Sequence, residues 1–420
     1  MDPSSDRILT VIIKGIPAGT VRQHRNGELS FSYAADYRGT PLSVSMPLSN
    51  ADYGDKVTRP YLFGILPDDQ SVRASLGQEF GVSGNNPFAL LAHLGLDCPG
   101  AVQFCVPGHE QRGFEGARYE PVADDDIEKR LLHLTESRRA AWQAPNEHWS
   151  LGGQQSKIAL ALFGDQWYSC EGSAATTHIL KPGIPMMKHQ ALNEHLCLNL
   201  ASLCGVPAAE SRFRTFGEAS AIVVRRYDRL VESDRRVLRF HQEDFCQACG
   251  VLPQHKYPSE GGVSARNVIE LLRGNKNADQ NVRAFTAQLF FNYLVGAPDA
   301  HGKNYSILFD LHDEPILAPL YDVASGLPYD SPHGGWRLAM GIGGENRFGR
   351  LRRSNLRRYA DMAQLDESLA ADLMGNLADA IIANLPVLEE EASCFDGGAE
   401  LATRMVPPIR ELCEGTLAKL

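Results

Sequence analysis

Asp299, Asn304 and Asp322 fall in one short stretch, Ala297-Pro-Asp-Ala-His-Gly-Lys-Asn-Tyr-Ser-Ile-Leu-Phe followed by Pro319-Leu-Tyr-Asp. A carboxylate, an amide five residues later and a second carboxylate beyond a turn are the side chains that phosphoryl transfer requires. The first carboxylate orients an attacking hydroxyl or accepts its proton, and the amide and second carboxylate hold magnesium against the phosphates. Each residue alone reads as an ordinary loop residue that caps or turns the chain. All three together, with a hairpin between the second and third, point to chemistry.

The elements that must position them are legible. Ala284 to Val295 reads as a buried helix, with Phe285, Leu289 and Tyr293 at four-residue spacing, stopped by Gly296 and Pro298. Tyr305–Phe309 and Ile316–Leu320 read as two short strands around the turn Asp310-Leu-His-Asp-Glu-Pro. Upstream, Ser150-Leu-Gly-Gly-Gln-Gln-Ser-Lys places a Gly-rich polar turn before the apolar strand Ile158-Ala-Leu-Ala-Leu-Phe. Trp167-Tyr-Ser-Cys follows a Gly164-Asp165 turn as a second strand, and Thr177-His-Ile-Leu-Lys-Pro is a third, ending in Lys181. Backbone N–H groups of such a loop can approach phosphates, and a lysine on a neighbouring strand neutralises them. Alone, Gly152-Gly153 reads as a tight turn and Lys181 as a surface charge. Leu192, Leu196, Leu200 and Leu203 then mark one face of a helix closed by Gly205 and Pro207. Glu194, near its start, is placed either to pair with Lys181 or to complement the helix dipole.

In this order the segments resemble the HipA family, the serine/threonine kinase toxins of bacterial HipBA toxin–antitoxin modules. The resemblance runs nearly end to end. It includes Phe63-Gly-Ile-Leu-Pro-Asp, Gly95-Leu-Asp-Cys-Pro-Gly-Ala-Val, the Ser150 and Thr177 segments above, Arg226-Tyr-Asp-Arg and His241-Gln-Glu-Asp-Phe-Cys-Gln-Ala-Cys-Gly. Asn292-Tyr-Leu-Val-Gly-Ala-Pro-Asp-Ala-His-Gly-Lys-Asn, Leu320-Tyr-Asp and Leu338-Ala-Met-Gly complete it. The resemblance implies an α+β, two-lobed protein-kinase-like fold. Residues 1–107 would form a β-rich N-terminal subdomain packed on an ATP-binding N-lobe at 128–229, with a mainly helical C-lobe at 230–420.

Carried over by position, the resemblance makes ATP and Mg2+ the cofactors, Asp299 the catalytic base, and Asn304 and Asp322 the magnesium ligands. Gly152, Gly153, Gln154, Gln155, Ser156 and Lys157 become the phosphate loop, and Lys181 binds ATP phosphates. Arg225, Arg226 and Tyr227 fall on the strand lining the adenine pocket, with Asp228 beside the ribose. His301, Gly302, Lys303 and Tyr321 sit beside the phosphates and the base. Ser150 aligns with the serine that such kinases autophosphorylate. In the family, phosphate there expels the loop and switches the enzyme off, since about two negative charges beside a triphosphate repel it. Arg225 replaces a position that is often Glu in the family, and Pro298 replaces a small hydroxyl residue, stiffening the start of the catalytic loop.

The implied partners are a HipB-like helix-turn-helix antitoxin, operator DNA through that complex, and an aminoacyl-tRNA synthetase as protein substrate. The run Arg347-Phe-Gly-Arg-Leu-Arg-Arg-Ser-Asn-Leu-Arg-Arg carries six arginines in twelve residues. Arg347 and Arg350 best match the family's DNA-touching patch; the run reads equally as the solvated start of a helix. Two other functions stay open: a DNA-bound co-repressor with little kinase activity, and a small-molecule kinase, since antibiotic phosphotransferases share the Asp-to-Asn spacing. The Phe63–Val102 segments and Ser150 argue against the latter.

Composition sets the outer bounds. A chain of 420 residues, 43% hydrophobic, can bury a large core in two or three domains. Met1-Asp-Pro-Ser-Ser-Asp-Arg lacks a basic region followed by an apolar run, and the Phe285–Val295 helix carries Gln288 and Asn292. The expectation is a cytoplasmic protein with neither secretory signal nor membrane span. Nine scattered cysteines argue against a disulfide framework, and a net charge of −10 against a free-standing nucleic-acid binder. Cys246 and Cys249 have metal spacing but only His255 nearby, so they read as core residues of a helix starting near Gln242. At the N-terminus, Leu9–Gly15 and Leu29–Tyr33 read as strands separated by an Arg25-Asn-Gly turn, and Ser71–Leu94 as helical around Gly84-Asn-Asn-Pro. Pro107–Asp126 reads as an exposed connection, and Gly250–Gly262 resembles the family's loop near the substrate cleft.

Overall fold

The strand-rich start of the chain closes into a four-stranded antiparallel sheet in the order Leu29–Tyr33, Ile16–Gln23, Arg7–Ile13, Val102–Cys105. The Arg25-Asn-Gly turn therefore joins the second and third strands, and the first turns back already at Lys14-Gly15. Pro17 and Gly19 hid the intervening strand, since neither favours a ladder. A bulge admits them: Val11 faces Gly19 and Ile12 faces Pro17, which leaves Ala18 as the extra residue. The structure, a computed structural model, describes residues 6–114, 116–137, 142–144, 146–331 and 333–420, without the side chains of 112, 114 and 234. Of the stretch read above for a secretory signal, Met1–Ser5 lie outside the described residues.

The architecture is α+β, and the chain divides into two units built from non-contiguous segments. The first comprises Met1–Pro182, Arg214–His255 and Ser306–Pro315. Besides the N-terminal sheet it holds most of a six-stranded sheet, ordered Arg118–Val122, Gln166–Glu171, Ile158–Phe163, His178–Lys181, Ala219–Arg225, Ser211–Phe216. The first of these strands lies inside the stretch read as a connection. It is an edge strand, so polar residues and Pro121 are tolerated there. One continuous core joins Leu62, Leu66, Leu91 and Phe104 to Trp149, Leu160, Leu180 and Phe216. Strand Gln242–Asp244 precedes the short helix Phe245–Ala248, which starts three residues later than its pattern suggests because Asp244 caps it in a reciprocal box with Gln247.

The second unit comprises Gly183–Phe213, Lys256–Tyr305 and Ile316–Leu420 and is mainly helical. Helix Glu367–Ser393 packs against Gln190–Leu203, Ala278–Leu294 and Gly398–Leu417. Phe285, Leu289 and Tyr293 are fully buried, as their spacing predicts, and so is Phe290. Among the described residues no helix is long and apolar enough to cross a membrane.

Candidate active site

In the first unit the Gly-rich turn feeds directly into the apolar strand Ile158–Phe163. Gly153 sits at φ +100°, a backbone conformation that favours glycine, with Lys157 Nζ 2.9 Å from where a Cβ would lie. Its carbonyl accepts the Asp68 N–H at 2.8 Å. Lys157 Nζ donates to the Gly152 carbonyl at 2.8 Å and lies 4.4 Å over the Trp142 ring. The lysine thus ties the loop back on itself. Gln154 is exposed, and Gly152, Gly153, Gln155 and Ser156 are half-buried. Ser150 is wholly buried: its N–H donates to the Asp97 carbonyl and its Oγ to the Ile65 carbonyl, both at 2.9 Å. Lys181 is buried at the end of its strand, opposite Ile222.

The residues after Val224 divide by environment. Arg225 is exposed, and Tyr227 is half-buried with its hydroxyl on the Gln242 amide oxygen. Arg226 and Asp228, expected at the adenine and ribose, are buried in an ion network. Arg226 donates to Asp228 at 3.0 and 2.8 Å, to Thr176 Oγ1 at 2.7 Å and to Asp97 at 3.3 Å. Arg229 bridges Asp97 at 2.9 Å and Asp228 at 2.8 Å, and Arg239 reaches Asp97 at 3.3 Å. Burial raises the Asp97 pKa, but Arg229, Arg226 and Arg239 outweigh it and hold the carboxyl well below the usual range. The Arg226 and Asp228 side chains are thus engaged in fixing the strand end.

In the second unit, helix Ala278–Leu294 stops where its pattern says. Gly296 takes φ +66°, and a Cβ there would meet the Leu327 side chain at 2.4 Å. The Pro298 carbonyl then accepts the Ala339 N–H at 3.0 Å, anchoring the loop. Asp299 is the exposed carboxylate, with 61% of its side chain accessible. Its Oδ1 accepts the Tyr257 hydroxyl at 2.6 Å and lies 3.7 Å from His301 Nε2. Its carbonyl accepts the His301 N–H at 2.9 Å and Asn304 Nδ2 at 2.7 Å. His301 Nδ1 accepts the Lys303 N–H at 3.3 Å, which in the neutral ring places the proton on Nε2. Tyr321 donates its hydroxyl to the Lys303 carbonyl at 2.7 Å. The Gly302–Asn304 turn thereby gathers Asp299, His301, Lys303, Asn304 and Tyr321. Asp322 follows directly, half-buried at φ +57°, a left-handed angle that Asp tolerates better than most residues.

Magnesium takes oxygen ligands and usually keeps waters and phosphate oxygens beside one or two protein groups. With its nitrogen fixed on the Asp299 carbonyl, the Asn304 amide offers its oxygen, and Asp322 adds a carboxylate. This donor set fits the ion. For zinc, the described residues contain no cluster of three or more His, Cys, Asp or Glu able to hold a metal; Cys246 is buried and Cys249 half-buried. Arg347 is exposed and paired with Glu345 at 2.7 Å; Arg350 is also exposed, just before helix Arg353–Ala363.

Sequence reasoning missed the residues that hold the segment after Asn304 and the hairpin. Asn281 accepts the Leu317 N–H at 2.9 Å, Gln288 donates to the Ala318 carbonyl at 2.8 Å, and Asn292 donates to the Tyr305 hydroxyl at 2.9 Å. All three are buried, and their i, i+7, i+11 spacing puts them on one helical face. That stripe of amides in an apolar helix was the available signal. The first unit thus holds the Gly152–Lys157 loop, Lys181 and Arg225–Asp228, and the second holds Asp299–Asn304, Tyr321, Asp322, Arg347 and Arg350.

Two family models match the chain: the HipA N-terminal domain over residues 9–105 and the HipA-like C-terminal domain over 149–385. Sinorhizobium fredii has a relative, Putative kinase Y4mE, that is 34% identical over 404 residues, 94% of this chain and 95% of its own. The Shewanella oneidensis serine/threonine-protein kinase toxin HipA is 28% identical over 400 residues, 88% of this chain and 90% of its own. Among solved structures, the HipA, HipB and operator DNA complex of Shewanella oneidensis MR-1 contains a chain matching at TM-score 0.83 and 26% identity, covering 98% of this chain and 97% of that one. The fold is therefore the kinase-like α+β fold of HipA. With both domain models matched and relatives aligned over nearly the whole length, the chain belongs to the HipA family of serine/threonine kinase toxins.

Proposed function

We propose that this protein is an ATP- and magnesium-dependent serine/threonine kinase acting as the toxin of a toxin–antitoxin pair. The observation that carries the reading is the Asp299–Asn304 arrangement: an exposed carboxylate whose own carbonyl fixes the amide five residues on. Asp299 aligns the acceptor hydroxyl and takes its proton. Lys181 and the N–H groups of Gly152–Lys157 bind the phosphates, and Lys157 exchanges the Gly152 carbonyl for a phosphate oxygen. Asn304 and Asp322 hold magnesium, which when bound neutralises charge developing on the phosphates. Arg225, Arg226 and Tyr227 belong to the strand that borders the adenine, with Asp228 beside the ribose and its ion pair to Arg226 holding the strand end, and His301, Gly302, Lys303 and Tyr321 support the phosphate side.

The protein substrate in this reading is an aminoacyl-tRNA synthetase, whose phosphorylation halts translation in the cytoplasm. Ser150 is the inactivating autophosphorylation site. Its Oγ is wholly buried on the Ile65 carbonyl, so phosphate there requires the loop to leave its place. Residues 1–107, 128–229 and 230–420 serve as N-terminal subdomain, N-lobe and C-lobe. The relative solved with HipB and operator DNA favours an additional role as co-repressor with a HipB-like antitoxin, to which Arg347 and Arg350 contribute phosphate contacts.

Transfer of labelled γ-phosphate from Mg·ATP by purified protein, beside Asp299→Asn, tests the kinase reading. Label on Ser150 in the parent and none in the variant is expected. No label on protein that starts unphosphorylated and binds ATP would leave the co-repressor role. For the substrate, finding another protein modified stoichiometrically in expressing cells, and no synthetase, would overturn that choice.

A further inference from the structure

Tyr257 lies in the irregular stretch that leads from the short helix at Phe245–Ala248 to helix Ala265–Arg273. Its backbone is tightly set. The Tyr257 carbonyl accepts the N–H groups of both Glu260 and Gly262 at 3.0 Å, in a turn closed by Gly261 at φ +82°. Its ring stands edge-on to His301, with centroids 4.9 Å apart and planes at 82°, and the buried Lys256 places its ammonium 5.6 Å from the ring centre. Backbone and ring together aim the hydroxyl, which donates to Asp299 Oδ1 at 2.6 Å. The same oxygen is the one 3.7 Å from His301 Nε2, so two groups converge on Oδ1.

A carboxylate on an exposed loop turns freely about its last torsion unless something holds it. Proton acceptance needs one oxygen at hydrogen-bonding distance from the acceptor hydroxyl in a fixed direction. We infer that Tyr257 is a positioning residue for phosphoryl transfer: its hydroxyl fixes one oxygen of Asp299 so that the other is directed at the substrate hydroxyl. The inference rests on the kinase reading above and deepens it. The alternative geometry, a hydroxyl standing in for substrate and displaced by it, suits a mobile side chain. Tyr257 has a fixed carbonyl and a ring clamped on His301.

The test compares parent, Tyr257→Phe and Tyr257→Leu as full-length protein, reading initial rates of γ-phosphate incorporation over a range of Mg·ATP concentrations. Phe keeps the ring against His301 and removes only the hydroxyl. The expected result is a maximal rate lower by about tenfold to a hundredfold in the Phe variant. The half-saturating Mg·ATP concentration stays within about twofold of the parent, and Leu loses little more than Phe. A Phe variant matching the parent, with Leu alone impaired, would reduce Tyr257 to packing and overturn the inference. A faster Phe variant would make the hydroxyl an obstruction, and a raised half-saturating concentration would move its effect to nucleotide binding; either overturns it. A parent that transfers no phosphate overturns the kinase reading itself, and the inference falls with it.

Discussion

Asp97 and Asp299 are the same side chain in opposite environments. Asp97 is 1% exposed and meets three guanidiniums, a threonine hydroxyl and a backbone N–H. Asp299 is 61% exposed and meets one tyrosine hydroxyl, with a histidine nearby. A carboxylate surrounded by cations in a dry interior is stabilised where it is and has little capacity left for a ligand. One held by a single hydroxyl at the surface keeps an oxygen for a reacting group. Charge density alone would choose Asp97; the proposed function instead places the chemistry at Asp299, where the bonding is incomplete.

Two substitutions would break that contrast if it is false. Asp299→Asn should lower phosphoryl transfer on the order of a thousandfold, read as initial rate at saturating Mg·ATP. Asp97→Asn keeps the shape but leaves Arg226, Arg229 and Arg239 short of one buried negative charge. It should destabilise the first unit by about 3–5 kcal/mol, measured as a shift in urea midpoint. Loss of transfer by the Asp97 variant at an unchanged midpoint would reverse the assignment of roles.

How far these two aspartates could be told apart from sequence follows from what spacing encodes. Phe285, Leu289 and Tyr293 announced a buried helix, and Gly296 with Pro298 its end, because helical period and breakers are local properties. Asn304 five residues after Asp299 was legible for the same reason, and the structure links them directly. The strand Ile16–Gln23 was not legible, because its Pro17 and Gly19 are accommodated by pairing across the sheet. Nor was the fate of Arg226 and Asp228. Their motif is local, but Asp97, which Arg226 meets, and Gly100, whose N–H Asp228 accepts, lie over a hundred residues away in sequence, and burial is decided by such partners. Tyr257 was hidden likewise, since its contact with Asp299 spans two separate loops.

Glu243 is a third carboxylate, buried like Asp97 but with no cation against it among the described residues. Its oxygens accept Ser43 Oγ at 2.6 Å and the Val44 N–H at 2.7 Å. Burial outweighs these bonds and, with Asp244 nearby, pushes the Glu243 pKa up to about 8 from 4.5. A folded pKa raised above the unfolded value means stability that is complete below pH 4.5 and is lost as pH climbs through 8. The parent should therefore lose up to a few kcal/mol between pH 5 and 8 relative to Glu243→Gln, which keeps an acceptor and never ionises. His241, pushed down to about 4 by burial, weakens both proteins on the acid side of pH 6.5, so the difference between their urea midpoints isolates Glu243. A flat difference from pH 5 to 8 would mean that Glu243 is ionised throughout.

The smallest expected effect is the most discriminating one, the stability of Asp299→Asn. If the exposed carboxylate serves chemistry alone, removing its charge should move the unfolding free energy by no more than about 0.5 kcal/mol. The asparagine oxygen can still accept the Tyr257 hydroxyl, and no buried cation is stranded. The backbone bonds from His301 and Asn304 go to the Asp299 carbonyl, which the substitution leaves intact. A urea midpoint within error of the parent, beside a thousandfold slower transfer, would separate the two aspartates cleanly. A loss of 2 kcal/mol or more, on the scale expected when a buried polar partner is removed, would mean that Asp299 also holds its loop together. The slow transfer would then reflect a displaced Asn304 as much as a missing base.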